Sequence, residues 1–124
     1  MAEGKIQTWS KIIDEGWKNL SLSSEMESGN IRYRKLGALV EIQIDNVKFK
    51  NNITDSNAHT IATLPTNYRP NTYNHYYYLF ADTYVPWSLS VRSSTGTIAC
   101  WKPSATATWD KSIGLYGTCL FTSS

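Results

Sequence analysis

The stretch Leu39-Val40-Glu41-Ile42-Gln43-Ile44 decides how the rest of the chain is read. Successive side chains of an extended chain point to opposite faces, so Val40, Ile42 and Ile44 share one face and Glu41 and Gln43 the other. One apolar face and one polar face describe an antiparallel strand half buried against a core. Val47 and Phe49 continue the apolar face if a bulge takes up Asp45-Asn46. Upstream, Ile31-Arg32-Tyr33-Arg34-Lys35-Leu36 alternates in the same way, and Gly37-Ala38 forms a tight connection between the two runs.

Working outward, Trp17 to Leu22 is a further alternating run, and Ser23 to Asn30 reads as a polar turn. Asn51 to Asn57 reads as a loop and His59 to Leu64 as a short strand stopped by Pro65, which cannot donate to a ladder. Thr66 to Asn74 is irregular, and Tyr76 to Tyr84 is a long strand that Pro86 separates from a strand over Trp87 to Arg92. Ser93-Ser94-Thr95-Gly96 is a hairpin turn leading into Thr97 to Trp101. Lys102 to Lys111 is a loop, and Ile113 to Thr122 is the last strand. Seven or eight short strands without any βαβ alternation predict an all-β fold, an antiparallel β-sandwich or jelly roll. We expect this single domain to occupy residues 16–124. Residues 1–15 form an N-terminal linker or short helix, because Ile6, Trp9 and Ile13 fall at helical spacing. That segment is either the stub of a shaft or a helix lying on its own domain.

The chain has 124 residues, enough to bury a core without metals or disulfides. Its 41% apolar content and sixteen aromatics rule out disorder. No apolar run has the length of a membrane span. The net charge of +2 gives no ground for a nucleic-acid partner. The N-terminal residues carry no apolar stretch of signal-peptide length, so we expect synthesis in a cytoplasm, unless the true start lies elsewhere. On that ground Asn19-Leu20-Ser21 and Asn52-Ile53-Thr54 match the glycosylation pattern by coincidence. Cys100 and Cys119 read as two small buried thiols or as one bridge between neighbouring strands.

Charge and aromatics are divided unevenly along the chain. Residues 1–62 hold eight basic and eight acidic side chains and four aromatics, whereas residues 63–124 hold four basic, two acidic and twelve aromatics. The second half has the composition of a recognition surface, in which Tyr and Trp supply area and Ser and Asn adaptable hydrogen bonds. The same residues also have high strand propensity, and the two readings do not exclude each other.

Catalysis finds little support. There is no Gly-x-Ser-x-Gly, and His59 and His75 read as surface or loop histidines. No His/Cys spacing points to a metal, and nothing calls for a cofactor. A glycosidase needs two carboxylates about 5–10 Å apart, and the aromatic half offers only Asp82 and Asp110. Saccharide binding fits better. Sugar rings present C–H faces that pack on Trp and Tyr, while hydroxyls need polar partners. The candidate ligand-binding residues are Trp109, Asp110, Trp101, Trp87, Asp82 and Tyr77. Trp87 and Trp101 read equally as core. Trp109 stands in a loop of small polar residues that cannot bury it from their own bulk, and is the leading candidate. In Tyr76-Tyr77-Tyr78, alternation sets Tyr76 and Tyr78 on one face and Tyr77 on the other, so one face is exposed or covered by a partner chain.

Gly16-Trp17-Lys18-Asn19-Leu20, Tyr33-Arg34-Lys35-Leu36-Gly37, Val40-Glu41-Ile42, Ile61-Ala62-Thr63-Leu64-Pro65-Thr66-Asn67-Tyr68-Arg69-Pro70 and Gly96-Thr97-Ile98 occur in that order over residues 16–100. This series resembles the C-terminal receptor-binding tip or head domains of bacteriophage tail fibre and baseplate proteins. Asn67 departs from the glycine usual in that pattern, and residues 101–124 have no counterpart in it. The resemblance implies a β-sandwich or jelly-roll tip, commonly a homotrimer, located in the virion among other tail or baseplate proteins. It implies attachment to host cell-surface saccharide, and with the residue readings above we expect no catalysis, nucleic-acid contact or membrane insertion. Two other functions match the residues: a carbohydrate-binding module of a phage lytic enzyme, and a purely structural virion protein whose aromatics line a trimer interface.

Overall fold

The computed structural model describes residues 13–81, 84–103 and 108–123, with backbone alone at 84 and 85. Eight strands run in chain order: β1 (Lys18–Leu20), β2 (Met26–Leu36), β3 (Leu39–Phe49), β4 (His59–Thr63), β5 (His75–Ala81), β6 (Tyr84–Val91), β7 (Thr97–Trp101) and β8 (Leu115–Thr122). A short 3-10 turn at Thr66–Tyr68 lies between β4 and β5. The strands form one antiparallel sheet in the order β1-β2-β3-β8-β5-β6-β7-β4. That sheet nearly closes on itself. The Ser23 amide donates to the Ile61 carbonyl at 2.8 Å, and the Ser23 hydroxyl to the Thr60 carbonyl at 2.6 Å, tying the β1–β2 turn to β4. The fold is all-β and antiparallel, as its alternation predicts.

The deciding stretch lies at the centre of this arrangement. Val40, Ile42 and Ile44 are fully or almost fully buried, and Val47 and Phe49 follow them into the core past a register shift. Asn46 occupies the shift with φ 52, a left-handed conformation that Asn tolerates better than most residues. A long apolar strand at a sheet edge would invite pairing with another chain. Here β8 pairs with β3 along its length, and it also contacts β5 through the pair Phe80↔Tyr116. The last strand thereby joins the first three to the remainder of the sheet. Gly117 allows the close approach, since a Cβ there would lie 2.6 Å from Leu79 Cδ2 and 3.1 Å from the Tyr78 carbonyl oxygen.

The start of β2 and the place of Pro86 differ most from the sequence reading. Strand β2 begins at Met26, inside the expected turn over 23–30, because Met26 reaches the core and register shifts accommodate the extra residues. Pro86 lies within β6 and does not end a strand. It falls in the irregularity between the pairs Leu79↔Trp87 and Ala81↔Tyr84, where a missing N–H breaks no regular ladder. The expected helical segment lies outside the described residues up to 12, and Asp14 bridges to Leu36 beside β2. Cys100 and Cys119 are buried free thiols. No described helix is long and apolar enough to cross a membrane.

Candidate functional site

The sequence candidates separate in space. Trp87 and Trp109 are in the core, 0% and 1% exposed. Their indoles meet edge-on and Trp87 also stacks on Phe49, with ring centroids 5.2 Å and 5.3 Å apart respectively. The expectation that Trp109 is exposed is therefore corrected. Backbone bonds between Trp109 and Ile53, at 2.8 and 3.0 Å, tie Trp109 to the β3–β4 connection, and its ring lies against Trp87. A ring so enclosed presents no face to a sugar. Asp110 is exposed, but its carboxylate accepts from the amide and hydroxyl of Ser112, both at 2.8 Å, as a turn cap. Asp82 lies outside the described residues.

Tyr77 and Trp101 have a different setting. Tyr77 is half-buried and donates its hydroxyl to the Leu120 carbonyl at 2.9 Å. Burial, reinforced by the nearby Cys119 thiol, pushes its phenol up to about 12. Trp101 lies across from Ser88, which lies across from Tyr78. Tyr76, Tyr77, Tyr78, Ser88 and Trp101 line a recess of about 160 Å³.

The larger opening was not legible from local sequence. Beyond the Phe80↔Tyr116 contact, the outer faces of β5, β8, β3 and β2 enclose a groove of about 940 Å³. Its apolar wall is Tyr76, Tyr78, Phe80 and Tyr116, which are 68%, 60%, 54% and 44% exposed. Its polar wall includes Asn30, Arg32, Gln43, Asp45 and Thr118. The register explains the grouping. Arg32 pairs with Gln43, and Gln43 pairs with Thr118, which places three outward polar residues in a row across three strands. Tyr76, Tyr78 and Phe80 are outward on β5 because Leu79 and half-buried Tyr77 take the inner face. The signal in the sequence was the Tyr triplet; the signal for Arg32 and Gln43 was only their polar parity.

The polar wall is a connected network. Arg32 donates to Gln43 Oε1 from Nε at 3.0 Å and from Nη2 at 2.6 Å. Gln43 Nε2 donates to Glu41 Oε2 at 3.3 Å, and Arg34 pairs with Glu41 at 3.2 Å. Trp17 lies beneath both guanidinium groups, 4.3 Å from Arg32 Cζ and 4.8 Å from Arg34 Cζ. Such stacking holds a guanidinium without consuming its donors.

Both histidines have structural partners. His59 lies between Glu25 at 2.8 Å and Asp55 at 3.0 Å, and His75 packs against Tyr77 and Phe121. Neither belongs to the groove. Among the described residues no group of three His, Cys, Asp or Glu side chains is placed to hold a metal.

This eight-stranded architecture matches a solved structure, the crystal structure of the head domain of lactococcal phage bIL170, presented as bearing on a common fold for the receptor-binding domains of lactococcal phages. The TM-score is 0.69, and the match covers 88% of this chain and 98% of that one. The chain has the fold of a phage receptor-binding head domain. Sequence identity is 12%, so the likeness resides in the fold. No protein-family model and no curated protein matches the sequence.

Proposed function

We propose that this chain is the receptor-binding domain of a phage tail or baseplate protein, and that the aromatic-walled groove on β5, β8, β3 and β2 attaches it to host-surface saccharide without catalysis. The observation that carries this reading is the pairing of two walls in one opening. Four exposed aromatics supply faces for sugar C–H groups, and Asn30, Arg32, Gln43, Asp45 and Thr118 supply donors and acceptors for hydroxyls. Exposing aromatic rings has a cost that burial would have removed, of order 1.5–3 kcal/mol for a large apolar side chain. Four in one groove favour a ligand-facing role. The likeness to a phage receptor-binding head domain points the same way. Among its described lining residues the groove has one carboxylate, Asp45, whereas glycoside hydrolysis generally employs two. The recess beside Trp101 and Tyr77 adjoins the same strand and extends the proposed contact surface.

A homotrimer in the virion is part of this reading. Ile13, Leu36 and Leu39, which are 65%, 40% and 38% exposed, belong to the β2–β3 hairpin and the segment beside it. They offer apolar surface to a second copy while the groove stays open. Multivalency would convert weak single-site affinity into useful attachment, with gains of roughly 10²–10⁴. A glycan array, read alongside light scattering, tests the reading. We expect selective saccharide binding by a trimeric particle. Absence of binding to any saccharide and to intact host cells would refute it, and a groove occluded between copies would favour a structural virion protein instead.

A further inference from the structure

We propose that Arg32 is the residue with which this groove reads a negatively charged group, so that the saccharide it takes carries a carboxylate or a phosphate. This rests on the groove being the binding site.

Arg32 and Arg34 are two positions apart on the outward face of β2 and both stack on Trp17. Their counter-charges differ. Arg34 has Glu41 at 3.2 Å and Asp14 at 3.6 Å, so its charge is met twice. Arg32 bonds only the neutral amide oxygen of Gln43 and forms no ion pair with any described residue. A guanidinium has five N–H donors in a rigid fork. Two are taken by Gln43, and three remain on a group whose ring support and amide anchor fix its direction. Arg32 lines the groove. A held cation with spare donors suits carboxylate or phosphate, which accept two parallel hydrogen bonds from such a fork. The groove also contains Asp45, paired with Asn30 at the next outward position of the sheet. The acidic group therefore belongs at the Arg32 end, with neutral hydroxyls at Asn30 and Asp45. Trp17 and Gln43 act as positioning residues.

The test uses the full chain and three matched probes: a neutral oligosaccharide, its uronic-acid counterpart and its phosphate-bearing counterpart. We expect the acidic probes to bind at least about tenfold more tightly than the neutral one, the scale of a charge-assisted hydrogen bond. Added salt should shrink that advantage. Arg32→Gln should abolish that advantage, so that acidic and neutral probes bind alike, while Arg32→Lys keeps part of it. Whichever acidic probe loses more on Arg32→Gln identifies the group read. Equal binding of neutral and acidic probes, or a preference that survives Arg32→Gln, would overturn the proposal and leave the groove reading standing. If Tyr78→Ala changes no affinity, or if no probe binds, the groove reading fails and this proposal with it. Should Arg32→Gln unfold, the Arg32 Nε–H resonance of the unaltered chain decides. It must shift further with an acidic probe than with the neutral one, and equal shifts would overturn the proposal.

Discussion

Trp109 meets Trp87 edge-on, with ring centroids 5.2 Å apart and planes inclined by 74°. One ring comes from a polar loop and the other from the middle of β6, and the two share the core with Phe49 and Ile53. The Trp109→Ala variant removes one of the two largest side chains of that cluster and leaves a cavity against Trp87. We expect a loss of about 3–5 kcal/mol of unfolding free energy, as for other buried aromatics cut to Ala. Urea denaturation measures it. A loss below about 1 kcal/mol would place the ring outside the core.

The reach of the sequence follows from which interactions are local. Val40, Ile42 and Ile44 announce their burial because the strand period is two and their neighbours are polar. The Gly37-Ala38 connection and the bulge at Asp45-Asn46 were legible for the same reason. Trp109 was not, because Ile53 and Trp87 bury it from distant parts of the chain. Pro86 misled because a bulge, invisible locally, removes the need for its N–H. The groove depends on β8 lying between β3 and β5, and no local pattern specifies that neighbourhood. Alternation marked Tyr76 and Tyr78 as partners on one face, but only topology brings Thr118 and Gln43 beside them.

Tyr76 and Tyr78 protrude from β5 and form part of the groove wall. Cutting either to Ala should leave stability within about 0.5 kcal/mol, because exposed positions away from special features contribute little. Adsorption to host cells should fall at least about tenfold, the scale of an aromatic hot spot. Calorimetric melting and an adsorption assay on the same preparations separate the two effects. Lower stability with unchanged adsorption would assign the rings to packing.

Cys100 and Cys119 lie on different strands, both fully buried. Burial pushes both thiols up, Cys119 to about 12, so the reactive thiolate is scarce at neutral pH. Ellman titration of the native protein should find no fast-reacting thiol. The denatured, unreduced protein should release two. Fewer than two would mean a bridge or prior oxidation.

His59 holds two carboxylates at once. Its Nδ1 is 2.8 Å from Glu25 in the turn before β2, and its Nε2 is 3.0 Å from Asp55 in the β3–β4 connection. A neutral imidazole has one N–H and satisfies one of them; the protonated ring donates to both. Phe49 packs on the ring and supplies no charge. Burial alone would lower the His59 pKa, but Glu25 and then Asp55 outweigh it and raise it above the ordinary value. A group whose pKa is raised on folding stabilises fully below its unfolded value, about 6.5. That contribution fades as pH rises through the higher folded value. On the acid side, the Asn57 amide and His59 hold Asp55 below its usual range, so its share persists until pH falls through that lowered value. The clamp is therefore strongest in the mildly acidic range, between these limits. Urea midpoints at about pH 6.0 and 8.5 should show a gap between the parent protein and His59→Gln that narrows at the higher pH. Asp55→Asn should reduce the pH dependence without removing it, because Glu25 remains. A gap of equal size at both pH values would show that His59 acts by packing on Phe49 and not as a charged link.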